Sequence, residues 1–133
     1  MTGVQTCALP IFEQEVAERV LRTHPDINAI VALSAISTRG AYYAKIGMAE
    51  NSNLSIIGFD QDLLPPIRNG GLDSVVAQDT YEIGRLAINQ IDGKLHGTTV
   101  PEKVMVQPKL LTRENIDSAE MRPVLTAHWW AGE

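Results

Sequence analysis

Residues 54–60 read Leu-Ser-Ile-Ile-Gly-Phe-Asp, a short apolar run that ends on a carboxylate. The run is too short for a buried helix, and a polar turn at residues 51–53 precedes it. Continuous apolar character over so few residues is typical of a strand covered on both faces of a parallel sheet. Residues 29–33 and 74–77 have the same character, so we expect three such strands.

Helical patterns separate these runs. Residues 12–22 repeat apolar side chains at the helical period, a second helix is expected from Ser34 to about residue 50, and a short one at 63–69. Asp79 and Glu82 then have the spacing of a capping box, which predicts another helix. The stripe of this last helix that is expected to be buried consists of Ile83, Leu86, Ala87 and Ile91.

Strands joined by helical crossovers form right-handed βαβ units. The sequence therefore predicts an α/β fold: three layers, with a mostly parallel sheet and helices on both faces. A fourth strand is expected at 104–106 and an extended exit segment at 110–115. We assign residues 12–118 to this domain and residues 119–133 to a C-terminal tail, in which Trp129 and Trp130 are expected to pack loosely.

The overall charge excludes some partners. The formal net charge of -5 leaves no basic stripe for phosphate groups, so nucleic-acid binding through this region has little electrostatic support. No apolar run approaches the length of about 18 residues that a membrane span needs. Cys7 is the only cysteine, which excludes an internal disulfide.

Residues 1–11 (MTGVQTCALPI) have no charge and no periodicity, and a charged helical pattern begins abruptly at Glu13. They resemble the translated read-through of a common sequencing-library adapter. The alternatives are a short natural arm or a signal peptide, and the latter is disfavoured because there is no positive n-region and the apolar part is short. We therefore expect this segment to lie outside the fold and to contain no export signal.

Three polar residues follow the three strands: Ser34, Asp60 and Gln78. Ligands of open parallel sheets bind beyond the carboxyl ends of the strands. A carboxylate accepts two hydroxyl hydrogens, and an amide both donates and accepts, so this set suits a polyol. The sequence predicts ligand binding by these three residues.

Each of the three also has a structural interpretation. Asp60 after a strand is equally well explained as a helix N-cap, and Ser34 before a helix is more often a cap than a ligand contact. Gln78 is the most informative, because glutamine has no special capping preference. The three histidines, His24, His96 and His128, are too scattered to predict a metal site, and no cofactor is expected.

Four landmarks resemble a known family in both order and spacing. They are residues 25–32 (PDINAIVA), 55–60 (SIIGFD), 76–79 (VAQD) with Gly84, and 111–117 (LTRENID). Together they resemble the type I periplasmic sugar-binding proteins, which are the substrate-binding components of ABC transporters. The Gly-Phe-Asp triplet alone is common, but the ordered set is fairly specific.

The resemblance implies that the chain is most of the C-terminal lobe of a two-lobed protein that binds a mono- or small oligosaccharide. It implies that Asp60 and Gln78 bind sugar hydroxyls, that the whole protein is periplasmic or extracytoplasmic, free or as a lipoprotein, and that an ABC transporter permease is its partner. One departure stands at Ser34-Ala35, where the family usually carries an Asn-Asp pair. The shorter hydroxyl leaves room for a larger ligand or a bridging water.

Other functions remain as alternatives. The effector domains of lactose-repressor-type transcription regulators resemble the same region, although residues 111–117 resemble transport proteins more. A phospho-receiver could use Asp60 with Lys109 but needs an acidic pair for Mg²⁺ that is missing. A hydrolase needs a nucleophile elbow, which Ser34 and Ser37 lack. The sequence therefore predicts a binding module and not an enzyme.

The resemblance also implies missing parts, because the family's C-terminal lobe has a strand and a helix before the position of Phe12. An incomplete lobe exposes an unpaired sheet edge and apolar surface. We therefore expect weak sugar binding and partial aggregation of the chain alone.

Overall fold

The computed structural model describes residues 5–48 and 53–125, the first seven of them by their backbone only. The helices are α1 (Gln5–Thr23), α2 (Ala35–Gly47), α3 (Leu64–Arg68), α4 (Thr80–Leu95) and α5 (Arg122–Leu125). The strands are β1 (Ala29–Val31), β2 (Ser55–Phe59), β3 (Ser74–Ala77) and β4 (Lys109–Thr112). Among the described residues, no helix combines the length and the apolar character needed to cross a membrane.

One four-stranded sheet has the order β1-β2-β3-β4. The first three strands are parallel, with Ile30 opposite Ile56 and Phe59 opposite Val76, and β4 runs antiparallel to β3. A mostly parallel sheet with helical crossovers confirms the predicted α/β class.

The core lies against one face of the sheet. Ile56, Val75 and Leu111 point to this face and are fully buried. Val31 and Ile57, at alternating positions that point to the other face, are 62% and 38% exposed. The described residues therefore bury one sheet face well and leave partly open the face where we expected a second layer of helices.

Helices α1 and α2 pack closely against each other because Gly40 has no side chain. A Cβ atom at Gly40 would lie 2.6 Å from Cβ of Glu13 and 2.8 Å from its backbone carbon. Ala41 and Ala44 of α2 are buried beside Leu21 of α1 in the core. Small residues on α2 thus set the distance between the two helices.

Helix α1 begins at Gln5 and not near residue 12. The prediction placed the start at the first periodic residue. Once a helix has nucleated, each further residue adds one hydrogen bond, so the helix can extend into a segment that has no apolar period of its own. The helix therefore includes part of the adapter-like segment.

The predicted strand at 104–106 is wrong. The structure pairs residues 109–112 with β3 and places Leu111 opposite Val75 in the core. A run of three apolar residues does not by itself fix pairing or register. The segment that we expected to be an extended exit is therefore the fourth strand.

The predicted stripe of α4 is not buried. Ile83 and Ile91 are 40% and 56% exposed, and Leu95, one turn beyond the predicted stripe, is 79% exposed. The stripe faces Val104 and Met105 across an open apolar groove of about 890 Å³, which we call the α4 groove. An amphipathic pattern predicts that one face of a helix is covered, but not what covers it.

The core continues past residue 118. Ile116 is buried, and so are Met121 and Val124 of the segment that we assigned to the tail. Lys109 of β4 donates a hydrogen bond of 2.7 Å to Glu120, which ties this segment to the sheet. Trp129 and Trp130 lie outside the described residues.

Candidate functional site

The carboxyl ends of the three parallel strands meet at one edge of the sheet. Asp60 directly follows β2, and its N–H donates a hydrogen bond of 2.9 Å to the carbonyl of Val76 in β3. Gln78 directly follows β3, and Ser34 stands three residues after β1. The structure thus brings the three predicted residues to the same edge, and we call Ser34, Asp60 and Gln78 the carboxyl-end rim.

Asp60 has an unusual backbone. Its φ of 73° is the only positive value for a non-glycine residue in the described part of the chain. This left-handed region is sparsely populated, although aspartate tolerates it better than most residues. The backbone N–H of Gln61 donates to Oδ1 of Asp60 at 2.8 Å.

The N-cap interpretation of Asp60 is wrong. Helix α3 begins later, with Leu63 at the N-cap position and no side-chain capping bond. One carboxylate oxygen of Asp60 is held by Gln61, and no other described residue donates to the second oxygen, Oδ2. Oδ2 is therefore available to a ligand at the rim.

Gln78 lies beside a small cavity of about 250 Å³. The side chain is half-buried, and no hydrogen bond engages its amide within the described residues. The cavity is also lined by Phe59, Val76, Asp79, Ile83, Val106, Gln107 and Pro108. An amide beside a cavity that also contains apolar surface can recognise a ligand with hydroxyl groups on an apolar ring.

Gln107 is a polar group of this cavity that the sequence analysis missed. It lies two residues before β4 and adds a second amide to the lining. Gln107 was not predicted at this site because the neighbouring residues 104–106 were assigned to a strand. Only the pairing of β4 with β3 shows that the chain returns to the rim here.

Ser34 is the N-cap of α2, as the structural interpretation predicted. Its Oγ accepts a hydrogen bond from the N–H of Ser37, and Oγ of Ser37 in turn accepts from the N–H of Ser34, a reciprocal capping box. The two hydroxyl oxygens are 2.7 Å apart. Because its hydroxyl is already engaged, the ligand role of Ser34 stays a prediction with the least support of the three.

Thr38 is a second residue that the sequence analysis missed. It is 1% exposed, and its Oγ1 lies between Ser34 and Phe59. The hydroxyl donates to the carbonyl of Ser34 at 2.7 Å and accepts from the N–H of Phe59 at 2.8 Å. The sequence feature that points to Thr38 is a polar residue on a helix face whose other buried residues include alanines.

Two neighbouring carboxylates have structural roles. Asp62 forms an ion pair of 2.8 Å with Arg39, and Asp79 caps α4 by accepting from the N–H of Glu82. The Glu82 side chain bonds to Arg85, and this hydrogen bond lowers the pKa of Glu82. Within residues 5–48 and 53–125, no cluster of His, Cys, Asp and Glu has the arrangement of a metal site.

The sequence is related to sugar-import proteins. It is 35% identical over 101 residues to the ribose import binding protein RbsB of Bacillus subtilis (strain 168), which covers 74% of this chain and 32% of that protein. It is also 33% identical over 117 residues to the ribose operon repressor of Halalkalibacterium halodurans, over 80% of this chain and 34% of the repressor. No protein-family model matches the chain.

The structure resembles an ABC transporter solute-binding protein from Agrobacterium vitis with bound D-fucose. The TM-score is 0.80 at 24% sequence identity, over 88% of this chain and 41% of that one. This likeness confirms the fold expected from the resemblance. The chain spans about a third of the length of the curated relatives that it matches.

Proposed function

We propose that this chain is part of the substrate-binding component of a sugar ABC transporter and contributes one of two lobes that hold a mono- or small oligosaccharide. The relationship to a ribose import binding protein supports the class of ligand. The observation that carries the proposal is the position of Asp60 and Gln78 at one edge of the sheet, each directly after a parallel strand.

The chemistry of the carboxyl-end rim suits a sugar. Since Gln61 occupies Oδ1 of Asp60, Oδ2 accepts a sugar hydroxyl hydrogen in a charge-assisted bond, which is about twice as strong as a neutral one. The amide of Gln78 donates to one hydroxyl oxygen and accepts from another hydroxyl. A sugar ring carries neighbouring hydroxyl groups, which match both kinds of side chain.

Binding without chemical reaction fits these side chains. The hydroxyls of Ser34 and Thr38 bond to Ser37 and to backbone groups of the fold. A serine nucleophile needs a base within hydrogen-bonding reach, and none of these hydroxyls has a histidine partner in the described structure. We therefore propose non-covalent recognition and no catalysis.

The second lobe would close over the rim. Hinge closure of two lobes excludes water and adds the contacts of the second lobe to those of the first. The α4 groove and the open face around Val31 and Ile57 are apolar surfaces, and such surfaces are usually covered in the complete protein. For that protein we further propose an extracytoplasmic location and a partner permease, without nucleic-acid contacts through this region.

A second candidate is the effector domain of a transcription regulator, supported by the identity with a ribose operon repressor. Both candidates bind a sugar at the same rim, so ligand binding does not separate them. The upstream reading frame in the source DNA separates the two candidates. A basic helix-turn-helix there supports the regulator, and an export signal or lipobox supports the transporter.

Sugar recognition can be tested by replacing the matching segment of the B. subtilis ribose import binding protein with residues 12–118. In this grafted protein, Asp60→Ala and Gln78→Ala should each weaken D-ribose binding about 5- to 150-fold by calorimetry, since such hydrogen bonds contribute about 1–3 kcal/mol. The matched control is Asp62→Ala, which removes a nearby carboxylate paired with Arg39. Equal affinities for all three variants would contradict the proposal.

The isolated 133-residue chain should bind D-ribose weakly or undetectably, because one lobe supplies only part of the contacts. Micromolar binding by the chain alone would show that the second lobe is dispensable.

A further inference from the structure

Thr38 connects two of the three strand ends at the carboxyl-end rim. Its hydroxyl donates to the carbonyl of Ser34, in the turn after β1, and accepts from the N–H of Phe59, the last residue of β2. The oxygen also lies 3.3 Å from the carbonyl of Phe59. One buried hydroxyl thus joins the start of α2 to the residue directly before Asp60.

The methyl group of Thr38 packs against the same strand, β2. It lies directly over Gly58, where an added Cβ atom would collide with Cγ2 of Thr38. Gly58 is buried and stands opposite Val75 of β3. The threonine is therefore fixed both by its hydrogen bonds to the strand end and by contact with the strand below it.

Asp60 needs such support because of its backbone. A left-handed aspartate keeps its conformation only when the surrounding structure holds the chain on both sides. On one side the N–H of Asp60 is bonded to Val76, and on the other Oδ1 accepts from Gln61. Thr38 adds the third fixed point, at Phe59.

We propose that Thr38 is a positioning residue of the sugar site, which acts by holding Phe59 so that Oδ2 of Asp60 faces the ligand. The proposal rests on the proposed role of Asp60 in sugar binding. Thr38 does not contact the sugar, because its side chain is buried beneath the rim.

Two substitutions separate positioning from general stability. Thr38→Val keeps the shape of the side chain and removes the hydroxyl, whereas Thr38→Ser keeps the hydroxyl and removes the methyl group over Gly58. Both should lower the melting temperature. In the grafted protein, Thr38→Val should weaken D-ribose binding at least ~10-fold, and Thr38→Ser should restore affinity to within about 3-fold of the unsubstituted graft.

Unchanged affinity in Thr38→Val would overturn the proposal. So would an equal loss of affinity in both variants that follows their melting temperatures, since that result describes a purely structural residue.

A measurement without ligand keeps this inference separate from the proposed function. In the full chain, Thr38→Val should speed hydrogen exchange at the N–H of Phe59 and change the HN–Hα coupling constant of Asp60, while Thr38→Ser changes neither strongly. If the unsubstituted graft binds neither D-ribose nor any of a panel of other pentoses, hexoses and disaccharides, the proposed function fails. If exchange at Phe59 and the Asp60 coupling are the same in both variants, the positioning role fails.

Discussion

Gly58 shows how closely the residues around the candidate site are packed. An added Cβ would collide with the methyl group of Thr38 and lie 3.2 Å from Cγ2 of Val75. Gly58→Ala should therefore lower the free energy of unfolding by about 1–3 kcal/mol, measured by urea denaturation. The control is Gly84→Ala in α4, where nothing lies within 4 Å of the added atom, and no loss is expected there. Equal losses in the two variants would show that the contact at Gly58 is not tight.

The exposed pair Arg68–Asp117 predicts a pH dependence with a definite sign. Hydrogen bonds from Arg68 lower the pKa of Asp117 in the folded chain. The pair therefore stabilises the fold above the ordinary aspartate pKa, and this contribution is lost as the pH falls through the lowered value. Asp117→Asn should reduce the fall in melting temperature between about pH 7 and pH 3. The effect should be small and should shrink in high salt, because the Asp117 side chain is 72% exposed.

At the scale of elements, the closest approach of α1 and α2 lies at Gly40. Gly40→Ala places a methyl group 2.6 Å from Cβ of Glu13, and the helices must separate to admit it. The melting temperature should fall by several degrees, as overpacking costs about 1–3 kcal/mol. Gly47→Ala in the same helix is the control, because its nearest contact is an ordinary 3.6 Å. A larger loss at Gly47 than at Gly40 would contradict this packing.

The strands could be predicted from the sequence where burial alone defines them. The run at 54–59 is strand β2 at Ser55–Phe59, and 74–77 is β3 with the same bounds. The strand predicted at 104–106 was wrong because the free edge of β3 has room for one strand only. Which of the two nearby apolar runs pairs there depends on which one brings a side chain opposite Val75. That choice is a property of the folded sheet and not of either run.

For helix α4, the prediction of a buried face was wrong for a different reason. Its existence and its cap at Asp79 were predicted, and both are confirmed. Its stripe is open because the cover is not found among the described residues. A sequence pattern reports that a face is apolar, while the partner of that face can lie anywhere in the complete protein.

At the scale of the molecule, the position of the carboxyl-end rim could be predicted because it needs only the identity and direction of three strands. Asp60 and Gln78 each directly follow a strand, as the sequence indicated. The left-handed backbone of Asp60 and the buried hydroxyl of Thr38 could not be predicted. Both depend on contacts between segments about 20 residues apart, for which a single sequence has no signal.

The open sheet surface predicts self-association. Among the strands of the described residues, β1 pairs only with β2, and Val31 and Leu33 near its end are 62% and 79% exposed. A lysine on such an edge disfavours strand pairing between molecules, so Val31→Lys should shift the chain toward monomer in sedimentation velocity. Thr99→Lys adds the same charge at an exposed site away from the sheet and should change little. Equal monomer fractions in both variants would rule out this edge as the contact.

A crystal structure of the grafted protein with D-ribose tests most directly whether Asp60 and Gln78 bind the sugar. We expect one sugar hydroxyl to lie within about 2.5–3.0 Å of the Asp60 carboxylate and another within hydrogen-bonding distance of the Gln78 amide. A sugar seated in the α4 groove, or bound without contact to either side chain, would contradict this expectation.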